Sequence, residues 1–141
     1  MPIPIKNDNV KYSYKDYLSW PDEESWELIE GVPYDMSPAP SPEHQKILLI
    51  LARKFADYLD DKFCEIYIAP FDVRFGNMPD EDKDTVVQPD ISIVCDKAMI
   101  DENGCNGSPD LIIEVLSPST AYKDEGEKLK LYEKYRVKEY W

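Results

Sequence analysis

A carboxylate stands in the middle of an apolar run near the C-terminal end of this sequence. Glu114 lies within residues 111–116, Leu-Ile-Ile-Glu-Val-Leu, and Pro109 and Pro118 bound the run. A short run of branched aliphatic residues predicts a strand that is buried on both faces. An ionised carboxylate there loses its hydration, which is costly enough to force protonation or unfolding unless a partner compensates. That partner is a buried cation from the chain, a cage of hydrogen bonds or a metal ion, and the run alone does not choose among them.

A second apolar run upstream carries another carboxylate at its entrance. Residues 88–94 read Gln-Pro-Asp-Ile-Ser-Ile-Val, with Asp90 as the acid. Two carboxylates on adjacent buried strands form a hard, oxygen-rich pocket, which suits Mg²⁺ or Mn²⁺.

Composition restricts the class of protein. The chain has 141 residues, of which 43% are hydrophobic, so we expect one globular domain. No stretch approaches the ~20 apolar residues that a membrane span needs, and the N-terminus has no apolar secretory segment. Three cysteines, an odd number without metal-ligand spacing (Cys64, Cys95 and Cys105), predict reduced thiols and a cytoplasmic location, with no membrane partner.

The charge is strongly negative and unevenly spread. A formal net charge of −13 opposes general binding of nucleic acid over the whole surface. Residues 121–141 are different, because six basic residues stand there against five acidic ones. The field near this segment can therefore still favour a phosphate group.

Periodicity and turn residues predict an α/β (α+β) domain with a mixed sheet flanked by two long helices. We expect a short helix at 14–18, an N-terminal hairpin turning at Gly31, and strands at 65–75, 85–95 and around Glu114. Residues 103–107 are predicted to form a loop, and 139–141 to begin a further strand. The first long helix should open at Ser41 and run from 42 to 60, and the second should span 121–135. The inward face of the first long helix is predicted to contain His44, Ile47, Leu48, Leu51, Phe55, Tyr58 and Leu59.

Several short blocks of this sequence, taken in chain order, resemble the Uma-type endonucleases. These are a bacterial family of unknown function in the PD-(D/E)XK nuclease superfamily. The blocks are residues 26–31, 37–44, 69–73, 87–90, 109–120, 126–129 and 139–141. The resemblance spans the chain from Tyr14 onward. It implies an α-β-β-β-α-β restriction-endonuclease-like core, and a longer protein in which residues 1–141 form a single domain that lacks its C-terminal strands.

Carried over by position, the resemblance assigns the motif residues. Asp90 is the motif aspartate, Glu114 is the second acid, and the backbone carbonyl of Val115 is expected to help them bind the metal. The position of the motif lysine holds Leu116, which departs from the pattern. That lysine normally orients the attacking water and stabilises charge on the phosphate.

Lys128 is a candidate replacement on the second predicted helix. It stands three and four residues before Leu131 and Tyr132, so it shares their inward face, whereas Lys130 and Lys134 lie on another stripe. A lysine on an apolar stripe usually extends its ammonium to water. Here the buried Glu114 needs a partner and the motif lacks its lysine, and related nucleases do relocate this residue to the helix.

His44 and Glu27 are additional candidates. His44 stands at the start of the first long helix, where it either bonds to the backbone or directs its ring at the metal pocket. Glu27 falls within a block of the resemblance and would add a further acid.

These observations predict a Mg²⁺- or Mn²⁺-dependent endonuclease that hydrolyses phosphodiester bonds of nucleic acid, with DNA as the expected substrate. A homodimer is expected, since superfamily relatives that cut both strands commonly dimerise. The alternative is a catalytically lapsed copy of the fold that serves as a binding or scaffold module, which the missing motif lysine and the charge of −13 favour.

Overall fold

The computed structural model describes residues 4, 9–21, 25–36, 41–116, 126 and 128–141. Three α-helices and two short 3-10 turns, Asp80–Asp82 and Lys97–Met99, lie among them. The helices are α1 (Tyr14–Tyr17), α2 (Pro42–Leu59) and α3 (Leu129–Lys134). The strands are β1 (Trp26–Ile29), β2 (Val32–Asp35), β3 (Glu65–Ile68), β4 (Val73–Phe75), β5 (Thr85–Val87), β6 (Ile91–Val94), β7 (Ile100–Asp101), β8 (Gly104–Asn106), β9 (Leu111–Ile113) and β10 (Glu139–Tyr140).

The described strands form two sheets, each with antiparallel and parallel pairs. The larger sheet has the order β2-β1-β5-β4-β8-β7, and the smaller has the order β10-β9-β6-β3. Strand β8 runs parallel to β4, and β10 runs parallel to β9. The predicted α+β class, mixed pairing and N-terminal hairpin are confirmed.

Two predicted strands are each divided between the two sheets. The predicted strand 65–75 becomes β3 in the smaller sheet and β4 in the larger one, and 85–95 becomes β5 and β6. Pro70 lies in the first break and Pro89 in the second. Because proline has no N–H to donate to a ladder, each break falls where pairing has to stop. The chain crosses between the sheets at these two points, close to Asp90.

The predicted loop at 103–107 is wrong, since β8 (Gly104–Asn106) lies within it. Strand β8 pairs with β7 and with β4, and the N–H of Cys105 donates to the carbonyl of Asp72 at 2.8 Å. Gly104 adopts φ 124°, and a Cβ there would lie 2.1 Å from the Asp72 carbonyl oxygen. The Gly and Asn residues that suggested a loop therefore permit a close approach between strands.

Helix α2 packs on the smaller sheet, although part of its predicted inward face is exposed. Its inner stripe, Leu48, Leu51, Ala52, Phe55 and Leu59, lies against Ile91, Ile93, Leu111 and Ile113. Ile47 and Tyr58 were predicted to face inward, but they are 41% and 64% exposed. A helix that contacts a single sheet buries only a narrow stripe at i, i+3 and i+4 spacing, and these two residues lie at its edges.

The described part of the second predicted helix, α3, is six residues long. Its buried residues Leu131 and Tyr132 pack between the sheets with Val73, Phe75 and Ile112. The predicted start at 121 lies outside the described residues, so a second long helix stays a prediction. Over the described part of the chain, the helices include none with the length and apolar character that crossing a membrane requires.

Cys64 and Cys95 form a disulfide, which contradicts the predicted reduced thiols for this pair. Strands β3 and β6 pair with Glu65 opposite Val94, so the next residues outward, Cys64 and Cys95, stand opposite each other. Cys105 is a buried free cysteine. The sequence separation of 31 gave no sign of the pairing, because strand register decides it. The cytoplasmic location stays a prediction.

Candidate active site

Asp90 and Glu114 stand opposite each other at one end of the smaller sheet. Strand β6 pairs with β9 so that Ile91 is opposite Ile113, and the same register extended by one residue pairs Asp90 with Glu114. Directly opposed residues project from the same face of a sheet. The N–H of Asp90 donates to Glu114 Oε1 at 3.1 Å, and the N–H of Val115 donates to Asp90 Oδ2 at 2.7 Å. The structure thus brings the two predicted carboxylates together.

The ammonium of Lys128 lies between two buried carboxylates. Lys128 directly precedes α3 and is 4% exposed. Its Nζ is 2.6 Å from Glu114 Oε2 and 3.0 Å from Glu27 Oε1. Glu27 comes from β1 in the larger sheet, so these three residues, which we call the ion triad, join both sheets and α3. Glu114 accordingly has both a buried cation and a hydrogen bond as partners.

The ion triad contains two carboxyl groups for a single ammonium. Burial raises the pKa of Glu114 to about 8; Lys128 opposes this shift, while Glu27 and Asp90 add to it. Burial alone would lower the pKa of Lys128, but Glu27 and Glu114 together raise it well above its ordinary value. The ammonium therefore stays charged, and the site as a whole favours further positive charge.

His44 approaches Asp90 from the first turn of α2. Its Nε2 lies 3.2 Å from Asp90 Oδ2, and its side chain is 10% exposed. Its backbone N–H donates to Ser41 Oγ at 3.2 Å, which caps the start of α2, and a role of the ring at a metal stays a prediction. Nδ1 is buried and has no hydrogen-bond partner within the described part of the chain.

The donor set suits a hard divalent cation. Among the residues that the structure describes, no group of three or more Asp, Glu, His or Cys side chains is arranged to hold a metal. Mg²⁺ commonly uses one or two protein carboxylates and takes its other ligands from water and substrate phosphate. Asp90 and Glu114 are two carboxylates of this kind, and the carbonyl of Val115 stays a predicted ligand.

Gln88 connects the ion triad to a second polar group, Asp72 and Tyr17, which the sequence analysis did not predict. Its N–H donates to Glu27 Oε2 at 2.7 Å, and its Nε2 donates to Asp72 Oδ1 at 2.8 Å. The hydroxyl of Tyr17 donates to the same oxygen at 2.9 Å. Burial raises the pKa of Asp72, and burial together with Asp72 raises that of Tyr17. Asp72 falls in block 69–73 of the resemblance, which was the available signal for it.

A carboxylate at the end of each of two paired strands, with Lys128 directly before α3, is the arrangement that the resemblance of the sequence predicted. The family model described as "Putative restriction endonuclease", Uma2, matches residues 14–141, and the chain belongs to this family. The family predicted from the sequence blocks is therefore confirmed.

Two similar proteins extend the comparison. An uncharacterized protein of Synechocystis sp. is 32% identical over 124 residues, which are 86% of this chain and 62% of that protein. This chain therefore spans less than two thirds of that relative. A crystal structure of a putative nuclease belonging to DUF820 from Anabaena variabilis aligns with a TM-score of 0.67 and 23% identity. That alignment covers 94% of this chain and 69% of the other, and it shows the shared fold.

Proposed function

We propose that this protein is a metal-dependent endonuclease that hydrolyses phosphodiester bonds of nucleic acid, with Lys128 in the role of the motif lysine. The observation that carries the proposal is the buried Lys128 ammonium, 2.6 Å from Glu114 and 3.0 Å from Glu27. Asp90 is next to this group, because its backbone N–H donates a hydrogen bond to Glu114 Oε1. Membership of the Uma2 family supports the nuclease class.

Stability alone is a poor explanation for the ion triad. Replacing a buried ion pair by apolar residues of similar volume is often neutral or stabilising. Here a single ammonium faces Glu27 and Glu114, and the carboxylate of Asp90 lies next to them, so charge compensation is incomplete. Titratable groups with strongly shifted pKa values cluster at functional sites, and Glu114 and Lys128 are both of this kind.

The roles follow from the contacts. A divalent cation held by Asp90, Glu114 and the Val115 carbonyl would supply positive charge that polarises the phosphodiester and makes water more acidic. Lys128 places an ammonium where negative charge develops as water adds to phosphorus and the P–O bond to the leaving oxygen breaks. Glu27 keeps Lys128 protonated and in position, and His44 fixes the orientation of Asp90.

Lys128→Ala tests this assignment, with Lys130→Ala as its matched control. Both changes remove one positive charge from neighbouring positions, but Lys130 is exposed. Lys128→Ala should lower Mn²⁺-dependent cleavage of DNA by on the order of a hundredfold, the loss expected when one preorganised electrostatic donor is deleted. Lys130→Ala should leave the cleavage rate nearly unchanged.

Equal losses in the two variants would refute the role of Lys128. If the unmutated chain shows no Mn²⁺-dependent cleavage, the catalytically lapsed binding module becomes the better account. DNA as the preferred nucleic acid and a homodimer that cuts both strands belong to this proposal. Parallel assays on RNA and sedimentation of the protein test them.

A further inference from the structure

A cavity of about 420 Å³ opens beside the candidate active site and does not include the ion triad. We call it the Asp72 cavity. Its walls combine aromatic, carboxylate and amide side chains with a close backbone turn, and they include Tyr67, Phe71, Asp72, Gln88, Asp101 and Gly104. Small-molecule sites usually occupy cavities of this size.

The Asp72 cavity borders Asp90 along two segments of the chain. The N–H of Ala69 donates to the carbonyl of Asp90 at 3.0 Å, and Pro70, Phe71 and Asp72 of the wall follow directly. On the other segment Gln88 lies two residues before Asp90, and its N–H donates to Glu27 of the ion triad at 2.7 Å. These two connections are the basis for placing the base of a nucleotide in the cavity when its phosphate lies at Asp90.

One wall of the cavity is aromatic. The rings of Tyr67 and Phe71 stack at 4.5 Å between centroids, with an angle of 7° between their planes. Both side chains are half-buried and line the cavity. Because the two rings already stack on each other, a base would stack on the outer face of one of them, since every base has a π face and stacks on aromatic side chains.

The polar wall presents an acceptor in a fixed orientation. Tyr17 and Gln88 both donate to Asp72 Oδ1 and fix the orientation of the carboxylate. Neither of these two hydrogen bonds uses the other oxygen, Oδ2. The neighbouring acid Asp101 is already compensated, because the buried Arg74 donates to it through Nη1 at 3.2 Å. Glu102, the third carboxylate of the wall, is exposed to water, so a donor on a ligand offers it less than it offers the half-buried Asp72.

We propose that the Asp72 cavity binds the base of a nucleotide next to the scissile phosphodiester and prefers bases with an exocyclic amino group over thymine and uracil. This rests on the proposed function for the nature of the substrate. Carboxylates accept hydrogen bonds from the cytosine amino group, and the adenine and guanine amino groups are donors of the same kind. Thymine and uracil carry a carbonyl oxygen at the position of that amino group, which an acceptor repels, and the ring N3–H is the only donor on their Watson–Crick edge. A concave site admits a base only when it is unstacked, so the bound nucleotide is single-stranded or flipped out.

The test compares short homopolymeric single strands of deoxycytidine, deoxyadenosine and thymidine, each with a fluorescent label. Their affinities for the unmutated protein, measured by anisotropy in Ca²⁺ buffer, should favour the cytidine and adenosine strands over thymidine by about tenfold or more. Phe71→Ala should weaken all three strands and keep the ratio, since stacking is tolerant of sequence.

Asp72→Asn is the decisive variant. Tyr17 and Gln88 should keep holding Oδ1, so the new amide nitrogen takes the place of Oδ2 and turns an acceptor into a donor. The preference should then disappear or reverse toward thymidine. Asp82→Asn, which removes an exposed acid from the 3-10 turn, should leave the ratio unchanged. Because the readout is a ratio for each protein, a partly unfolded preparation does not mimic the result.

The outcomes separate this inference from the nuclease proposal. Equal affinities for the three strands, or a ratio that survives Asp72→Asn, would overturn the base preference. Mn²⁺-dependent cleavage of the same strands without any base preference would leave the nuclease and remove the cavity's role. A preference sensitive to Asp72→Asn without cleavage would do the reverse, and failure to bind any strand would overturn both.

Discussion

Replacing Glu114 by glutamine should change how the stability of this protein depends on pH. Glu114 is buried, accepts from Lys128 at 2.6 Å and from the N–H of Asp90 at 3.1 Å, and shares Lys128 with Glu27. Glutamine keeps the volume and one acceptor oxygen but cannot ionise. Lys128 would retain Glu27 as its charged partner, so the variant leaves no uncompensated ammonium.

The sign follows from the raised pKa. The pKa of Glu114 is about 8 in the folded protein, against an ordinary value of 4.5. Between these two values the unfolded chain releases a proton that the folded protein retains, so the free energy of unfolding falls as pH rises from about 4.5 to about 8. The ceiling for this loss is about 5 kcal/mol, at 1.36 kcal/mol for each pH unit. Relaxation and water entry reduce the cost of a buried charge, and we expect about 2–4 kcal/mol.

Urea unfolding at pH 5, 6, 7 and 8 in the presence of a chelator measures this effect. The unmutated protein and Glu114→Gln should agree within about 1 kcal/mol at pH 5, where the native carboxyl is protonated. By pH 8 the variant should be the more stable of the two. Glu81→Gln, at an exposed position, should follow the unmutated protein throughout. Adding Mn²⁺ should stabilise the unmutated protein more than Glu114→Gln, because ligand binding to the folded state adds to its stability.

Parallel pH curves for the unmutated protein and Glu114→Gln would refute the reasoning. They would show that Lys128 alone fully compensates Glu114 and that the site has no excess negative charge. A variant that is less stable at every pH, with or without Mn²⁺, would indicate a purely structural Glu114.

Two further predictions concern the framework of the site. Protein that is unfolded without reductant should contain one titratable thiol per chain, that of Cys105, and three thiols would exclude the disulfide. The double variant Cys64→Ser, Cys95→Ser should lower the free energy of unfolding by about 3–4 kcal/mol, as expected for a closed loop of this length. Gly104→Ala should cost at least about 2 kcal/mol in the same urea assay, since φ 124° is unfavourable for alanine and the new Cβ meets the Asp72 carbonyl. Gly126→Ala is its control, because a Cβ there meets no described atom within 4 Å, and equal costs would contradict the strand contact at Gly104.

Local patterns were sufficient for the class of the protein and for several elements. Ser41 and Pro42 predicted the start of α2, because capping and the fixed φ of proline act within one turn. The apolar runs around Asp90 and Glu114 predicted adjacent strands, and the structure pairs β6 with β9. The blocks of the sequence identified the family, which the match over residues 14–141 confirms. Leu116 in the position of the motif lysine, together with the inward face that Lys128 shares with Leu131 and Tyr132, predicted Lys128 as the replacement.

Tertiary structure decided which distant residues meet. Lys128 and Glu27 are 101 residues apart in the sequence, and His44 and Asp90 are 46 apart. No periodicity within one helix or strand relates the two residues of either pair. Their contacts depend on the crossings near Pro70 and Pro89, where the chain leaves one sheet for the other. The pairing of β3 with β6 opposes Cys64 to Cys95, and the pairing of β4 with β8 sets Asp72 beside Gly104. Hydrophobic periodicity specifies the buried face of an element, whereas strand order and register arise from the packing of the whole core, so sequence alone predicted the acids but not the Asp72 cavity next to them.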